Sequence, residues 1–271
     1  MNKISIILLV ILSLSANLLF SEKSDLKEFE TEVDKPVESS SDEDNDSDYN
    51  SDSDYASNLN DDDEEEGIFS QIFGFLIGEL FFGHRDQLWY YYFQDYPYAN
   101  GKDGRYISMG KSFDFQIYSD YIYHSNKLTG HCIQGNLNVT PYLSLNGKYL
   151  EFTEELKDDD YTLKFYDLYL DYYRFRGEYG SWSWGLGAKY MNGKKNYLGF
   201  SGNSELEIFP VKPLSIKLAG NLSDINKHLV TEWRGEAALH LWKVRFNAGY
   251  HQIKTGDESI EGLVLGVGIN L

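Results

Sequence analysis

Gly262-Leu263-Val264-Leu265-Gly266-Val267-Gly268-Ile269-Asn270-Leu271 closes the chain. Leu263, Leu265, Val267, Ile269 and Leu271 share one face, while Gly262, Gly266, Gly268 and Asn270 take the other. A two-residue period sends alternate side chains to opposite faces of a sheet. Working back from this stretch, the pattern recurs. Val244, Phe246, Ala248 and Tyr250 alternate with Arg245, Asn247 and His251. Thr231, Trp233, Ala237 and Leu239 alternate with Glu232, Arg234, Glu236 and His240. Leu214, Ile216, Leu218 and Leu222 alternate with Ser215, Lys217 and Asn221. Segments around Leu198–Ile208, Trp182–Tyr190, Tyr161–Tyr173, Leu143–Tyr149, Ile133–Val139 and Phe113–Tyr123 complete the row.

Each segment thus carries an apolar face. The economical solution is a barrel in a membrane, with lipid on the apolar face and a polar lumen. The expected fold is all-β, an antiparallel up-and-down transmembrane β-barrel of about ten strands, preceded by a short amphipathic helix. Merging one weak segment gives eight strands, and a further hairpin over residues 87–110 gives twelve. An even number puts both barrel ends on one side. Connections near Thr140, Gly177, Val211 and Trp242 then share that side, and those near Asn126, Lys157, Gly193, Ile225 and Gly256 lie opposite. The phase slips near Tyr166-Asp167, which reads as a bulge.

Four regions follow from composition. Residues 1–21 read as a signal peptide, with Lys3 ahead of an apolar run that ends in small residues. Residues 22–66 hold 20 Asp and Glu against three Lys, which is most of the chain's net charge of −19. Runs such as Asp61-Asp62-Asp63-Glu64-Glu65-Glu66 have little apolar surface to offset ordering entropy, so a disordered acidic spacer is expected. Residues 67–102 read as an amphipathic helix (Ile68, Phe69, Ile72, Phe73, Leu76, Leu80 and Phe81 at helical spacing) and an aromatic stretch around Trp89–Phe93. Residues 103–271 form the barrel. Cys132 is the one cysteine, which excludes a disulfide framework within the chain.

Residues 103–271 resemble small bacterial outer-membrane β-barrel proteins, through the alternation, the terminal strand, and the aromatics near strand ends (Tyr149, Tyr161, Trp182, Tyr190, Tyr197, Trp233 and Tyr250). The resemblance implies an outer-membrane location, contact with outer-membrane lipid and insertion by a barrel assembly machinery. It also implies a periplasmic position for the acidic segment. Such proteins commonly end in an aromatic residue, whereas this chain ends in Leu271.

The polar face offers two candidate constellations. Glu205, Glu207, Glu232 and Glu236 against Lys189, Lys217, Arg234 and Arg245 compose a charge network filling a narrow lumen. By phase, Asp120, His124, His228 and His251 converge near the outer rim, a polar site that suits a metal or an activated water. No H-x-H or H-E-x-x-H spacing supports it, and no catalytic residue or cofactor is assigned. The acidic segment suits weak divalent-cation binding or a basic partner. It argues against nucleic acid.

The expected function is therefore a non-enzymatic barrel, structural or a narrow pore for ions and small solutes. The alternatives are a surface-binding barrel, a barrel enzyme at the histidine rim, and a soluble lipocalin-like barrel with its apolar face inside.

Overall fold

A computed structural model describes residues 25–36, 78, 93–101, 103–106, 113–125, 127–157 and 159–271. The expected signal peptide, most of the acidic spacer and the expected 67–83 helix lie outside the described residues, Gly78 excepted. The chain divides into two units. The first comprises residues 1–35 and 90–271, and the second residues 36–89. All the described strands belong to the first.

Ten strands close into one barrel. They are β1 (Asp114–Tyr123), β2 (Leu128–Asn138), β3 (Leu143–Glu154), β4 (Tyr161–Arg176), β5 (Gly180–Asn192), β6 (Asn196–Val211), β7 (Leu214–Ile225), β8 (His228–Leu241), β9 (Val244–Thr255) and β10 (Glu258–Asn270). Each pairs antiparallel with its neighbours in sequence, and β1 pairs with β10 to seal the ring. The hairpins fall on the two sides expected. Closure removes every free sheet edge, which a wall facing lipid requires.

The outer wall is apolar. Ile117, Leu145, Leu168, Leu170, Leu186, Leu198, Phe200, Leu218, Leu222, Phe246 and Leu265 are all exposed on it. The inner wall holds Asp120, Asn146, Asp167, Lys189, Glu232, Glu236 and Arg245, all buried. A lipocalin-like barrel has the reverse polarity, so that alternative fails.

Two sequence expectations need correction. The β4 irregularity falls between Tyr173 and Phe175, not at Tyr166-Asp167. Leu163, Phe165 and Asp167 are all buried in unbroken alternation. What changes there is the lining of the lumen, from apolar to charged, and that change imitates a slip of phase. The second concerns the acidic spacer, where α1 spans Asp25–Asp34. Leu26, Phe29, Glu30 and Val33 line one buried face at i, i+3, i+4 and i+7, so even this acidic sequence has an amphipathic stripe to bury.

Candidate functional site: a lumen closed at both mouths

The barrel ends are distinguished by the chain. At the near mouth β1 begins and β10 ends. At the far mouth lie the hairpins β1–β2, β3–β4, β5–β6, β7–β8 and β9–β10.

α1 sits in the far mouth. Its Leu26, Phe29 and Val33 are fully buried in a cluster with Ile122, Leu128, Leu150, Phe152, Leu163, Phe165, Met191, Ile225, Val230, Ile253 and Ile260. The Phe29 and Phe165 rings meet edge to face at 6.2 Å. Fully burying an apolar side chain is worth about 1.5–3 kcal/mol, so these three anchor the helix.

Polar contacts fix its register from end to end. The Leu26 amide donates to Glu154 at 3.3 Å. Asn226 donates to the Val33 carbonyl at 2.7 Å. The Lys195 amide donates to the buried Glu30 carboxylate at 3.1 Å. A side chain on Gly193 would stand 2.5 Å from that carboxylate, so the glycine makes the room.

His124 and His228 are rim residues, and both are spent on α1. His124 Nδ1 donates to the Glu261 carbonyl, and Nε2 lies 3.1 Å from Asp25. With both ring nitrogens facing acceptors, the imidazolium is favoured. Burial pulls the pKa of His124 down, but Asp25 and the Glu261 carbonyl outweigh it, and the net shift is upward. His228 Nε2 donates to the Lys35 carbonyl at 2.8 Å, beyond the other end of the helix. Asp34 accepts from the Tyr197 hydroxyl and pairs with Lys195 at 3.1 Å. Slight burial raises its pKa, and these two partners lower it more.

Below the apolar cup the lumen becomes ionic. Lys148 pairs with Asp167 at 2.7 Å and with Glu232 at 2.7 Å. Lys189 pairs with Glu232 at 2.6 Å and with Asp167 at 3.2 Å. His251 stacks on Phe152 and lies 2.9 Å from Glu232, at the boundary between the layers. A second cluster follows toward the near mouth. Arg234 bridges Asp120, at 2.7 Å, and Glu236. Arg245 reaches Glu236 at 2.9 Å and Glu207 at 3.5 Å. Lys217 pairs with Glu205 at 2.7 Å. The eight residues read as a lumen network from sequence all take part. Lys148 and Asp167 join them, and their inward phase in β3 and β4 was the available signal.

The four rim candidates do not converge. Asp120 is tied to Arg234 and Asn247, His251 to Glu232, and the other two flank α1. Among the described residues, no group of three or more His, Cys, Asp or Glu is placed to hold a metal.

The near mouth is covered by residues 93–101 and 103–106. Arg105 is buried 3.4 Å from Glu207, and its amide donates to the Glu178 carbonyl at 2.8 Å. The Tyr98 hydroxyl donates to the Leu214 carbonyl and lies 3.2 Å from that of Val211. Gly104 has φ +80°, and a side chain there would stand 1.6 Å from the Glu178 carbonyl oxygen. Only glycine fits.

Beneath this cap, Ser215 lies 2.7 Å from His240 Nε2. The pair resembles a nucleophile and its base, but the polarity is wrong. The Ser215 hydroxyl donates to Glu207 at 2.9 Å, so the imidazole acts as the donor to the serine oxygen. Between the mouths, a cavity of about 50 Å³ lined by Gln134, Asn146, Lys148, Tyr169, Asn221 and Glu232 has room for a few waters.

No family model matches the chain, and no curated protein matches it. Among the solved structures that resemble it, three illustrate the likeness, all at low identity. An outer membrane channel from Pseudomonas putida F1 is 11% identical with a TM-score of 0.35, covering 61% of this chain and all of that one. Ail from Yersinia pestis is 15% identical with a TM-score of 0.34, covering 58% and 99%. The N-terminal β-barrel domain of Pseudomonas aeruginosa OprF is 8% identical with a TM-score of 0.29, covering 59% and 96%. At these values none of them assigns an activity to this chain.

Proposed function

We propose that this chain is an outer-membrane β-barrel with a structural, non-enzymatic role and a lumen closed at rest. The observation that carries this reading is the inverted polarity of the wall: large apolar side chains face outward and buried ion pairs fill the inside. Such a surface is stable where lipid covers it, so outer-membrane lipid and the barrel assembly machinery are the partners this reading requires. The near mouth, with the barrel's own ends, faces the periplasm. The closed lumen favours a structural role over an open pore, since a pore needs a continuous aqueous path and buried ion pairs among Lys148, Asp167, Lys189 and Glu232 link the walls at mid-height.

The test is fractionation followed by electrophoresis of unheated and boiled samples. The protein is expected in the outer-membrane fraction, with faster migration when unheated. A soluble protein with one mobility would overturn the proposal. α1 opens the acidic stretch yet lies in the mouth opposite the barrel's ends, so a wholly periplasmic acidic segment does not fit this orientation.

A further inference from the structure

Around the apolar cup the wall reverses its polarity. Where Leu150, Phe152, Leu163, Phe165, Ile253 and Ile260 face inward, the outward positions beside them hold His131, Glu151, Lys164, Gln252 and Glu261. Glu151 and Lys164 pair at 3.3 Å, and Gln252 donates to Glu261 at 2.9 Å. One outward position closer to the near mouth, Tyr149, Tyr166 and Tyr190 stand on three neighbouring strands, with successive ring centroids 5.1 and 6.0 Å apart. At the same level Trp233 meets Tyr250 at 5.3 Å. Beyond this belt the outer wall turns to Leu145, Leu168, Leu170 and Leu186, all exposed. Tyr and Trp favour the level where hydrocarbon meets headgroups, and ionisable side chains are costly against hydrocarbon. Moreover, β4 runs for 16 residues, whereas a tilted strand crosses the hydrocarbon in about 9–11.

We propose that the far part of the barrel stands in water beyond the membrane surface and is a binding site for an acidic amphipathic helix, which α1 fills in cis. The inference deepens the outer-membrane reading and rests on it for the lower wall. In water an apolar cup draws a helix by the hydrophobic effect, a force that lipid surroundings would not supply. The seat also specifies its occupant. Its floor takes apolar side chains at i, i+3 and i+7, filled by Leu26, Phe29 and Val33. Its rim takes carboxylates at i−1, i+4 and i+8: Asp25 on His124, Glu30 on the Lys195 amide over Gly193, and Asp34 on Tyr197 and Lys195. The ten strands close their ring without α1, so the seat outlasts the departure of the helix. A helix of the same pattern, presented from the aqueous side, competes with α1 for it.

The experiment uses two full-length variants that unseat α1 and leave every strand unchanged. One combines Leu26→Ala, Phe29→Ala and Val33→Ala, and the other is Glu30→Lys. Each is checked for the heat-dependent mobility shift, then titrated with a fluorescein-labelled peptide of residues 24–36 and followed by anisotropy. Saturable one-to-one binding is expected to both variants. The unaltered chain should bind far less, because its seat is filled. The same peptide carrying Phe29→Ala should bind about a hundred-fold more weakly. If the variants keep the mobility shift and neither binds the peptide, the site is overturned. If both lose the shift, α1 belongs to the barrel's own fold, and a separable occupant is overturned as well. The surroundings of the cup are tested in lipid vesicles with Lys164→Cys and Leu168→Cys, each in a Cys132→Ser background, using a water-soluble maleimide. Lys164→Cys should react and Leu168→Cys, four residues along the same outer face, should not. Protection of both would place the cup within the hydrocarbon and overturn the proposal. Reaction of both would overturn the outer-membrane reading itself, whatever the peptide does.

Discussion

Along β3, β4, β5 and β8, Leu150, Phe165, Met191 and Val230 each face inward at the floor of the far mouth. One inward position closer to the near mouth, the same strands carry Lys148, Asp167, Lys189 and Glu232. The lumen therefore changes from an apolar cup to an ionic core within two residues. The cup is covered by a separate element, α1, whereas the core closes on itself through cross-barrel ion pairs. A region filled by a helix can be emptied without dismantling the wall. A region filled by side chains from opposite walls cannot, because each charge depends on partners across the barrel.

That difference sets the largest expected effect. Lys189→Met leaves Asp167 and Glu232 facing each other with Lys148 alone between them, and removing one member of a buried ion pair costs about 3–5 kcal/mol. The barrel's unfolding midpoint in denaturant, followed by the mobility shift, should fall accordingly. An unchanged midpoint would mean that the ionic core is not what closes the middle.

Phe29→Ala is the matching change in the cup. A buried Phe→Ala change costs about 3–5 kcal/mol, but here the loss is confined to helix docking. Proteolysis near Asp25–Asp34 should quicken while the barrel's midpoint stays in place. If the midpoint falls as far as in Lys189→Met, the cup and core are one cooperative unit and the contrast between them is lost. At the other mouth, Gly104→Ala meets the Glu178 carbonyl and a left-handed backbone. It should loosen residues 93–106 to protease by an amount worth about 1–3 kcal/mol. α1 should remain protected.

The smallest effect is that of pH on α1. His124 titrates with a raised pKa in the folded state, so its contribution is full below the unfolded value of about 6.5 and disappears as pH rises through the folded value. Asp34 has a lowered pKa, so its contribution holds above the unfolded value of about 3.9 and is lost as pH falls through the folded one. Protection of α1 from protease should be greatest between those limits. His124→Gln should remove the alkaline limb and leave the acid one. A pH-independent protection pattern would assign docking to Leu26, Phe29 and Val33 alone.

The barrel was legible because period-2 alternation survives without tertiary information. Ten strands, both sets of hairpins and the inward phase of Lys189, Glu232 and Arg245 can be read from it. The apolar cup was not legible, because inward Leu163 and Phe165 read as a change of phase when lipid is assumed to take every apolar residue. α1 was hidden by charge. Ten residues with six ionisable carboxylates or amines beside Leu26, Phe29 and Val33 read as solvated until a wall that buries those three is present. The histidine rim shows the same limit. Sequence phase placed His124 and His228 at one mouth, but only the helix lying between them explains why they do not meet.

Planar-bilayer recording on the purified full-length protein tests the closed lumen most directly. The account predicts no steady conductance, because the ionic core remains filled whether or not α1 is seated, and it predicts the same silence for Phe29→Ala. A stable stepwise current from the full-length chain would contradict it, and would mean that the pairs among Lys148, Asp167, Lys189 and Glu232 part to leave an aqueous path.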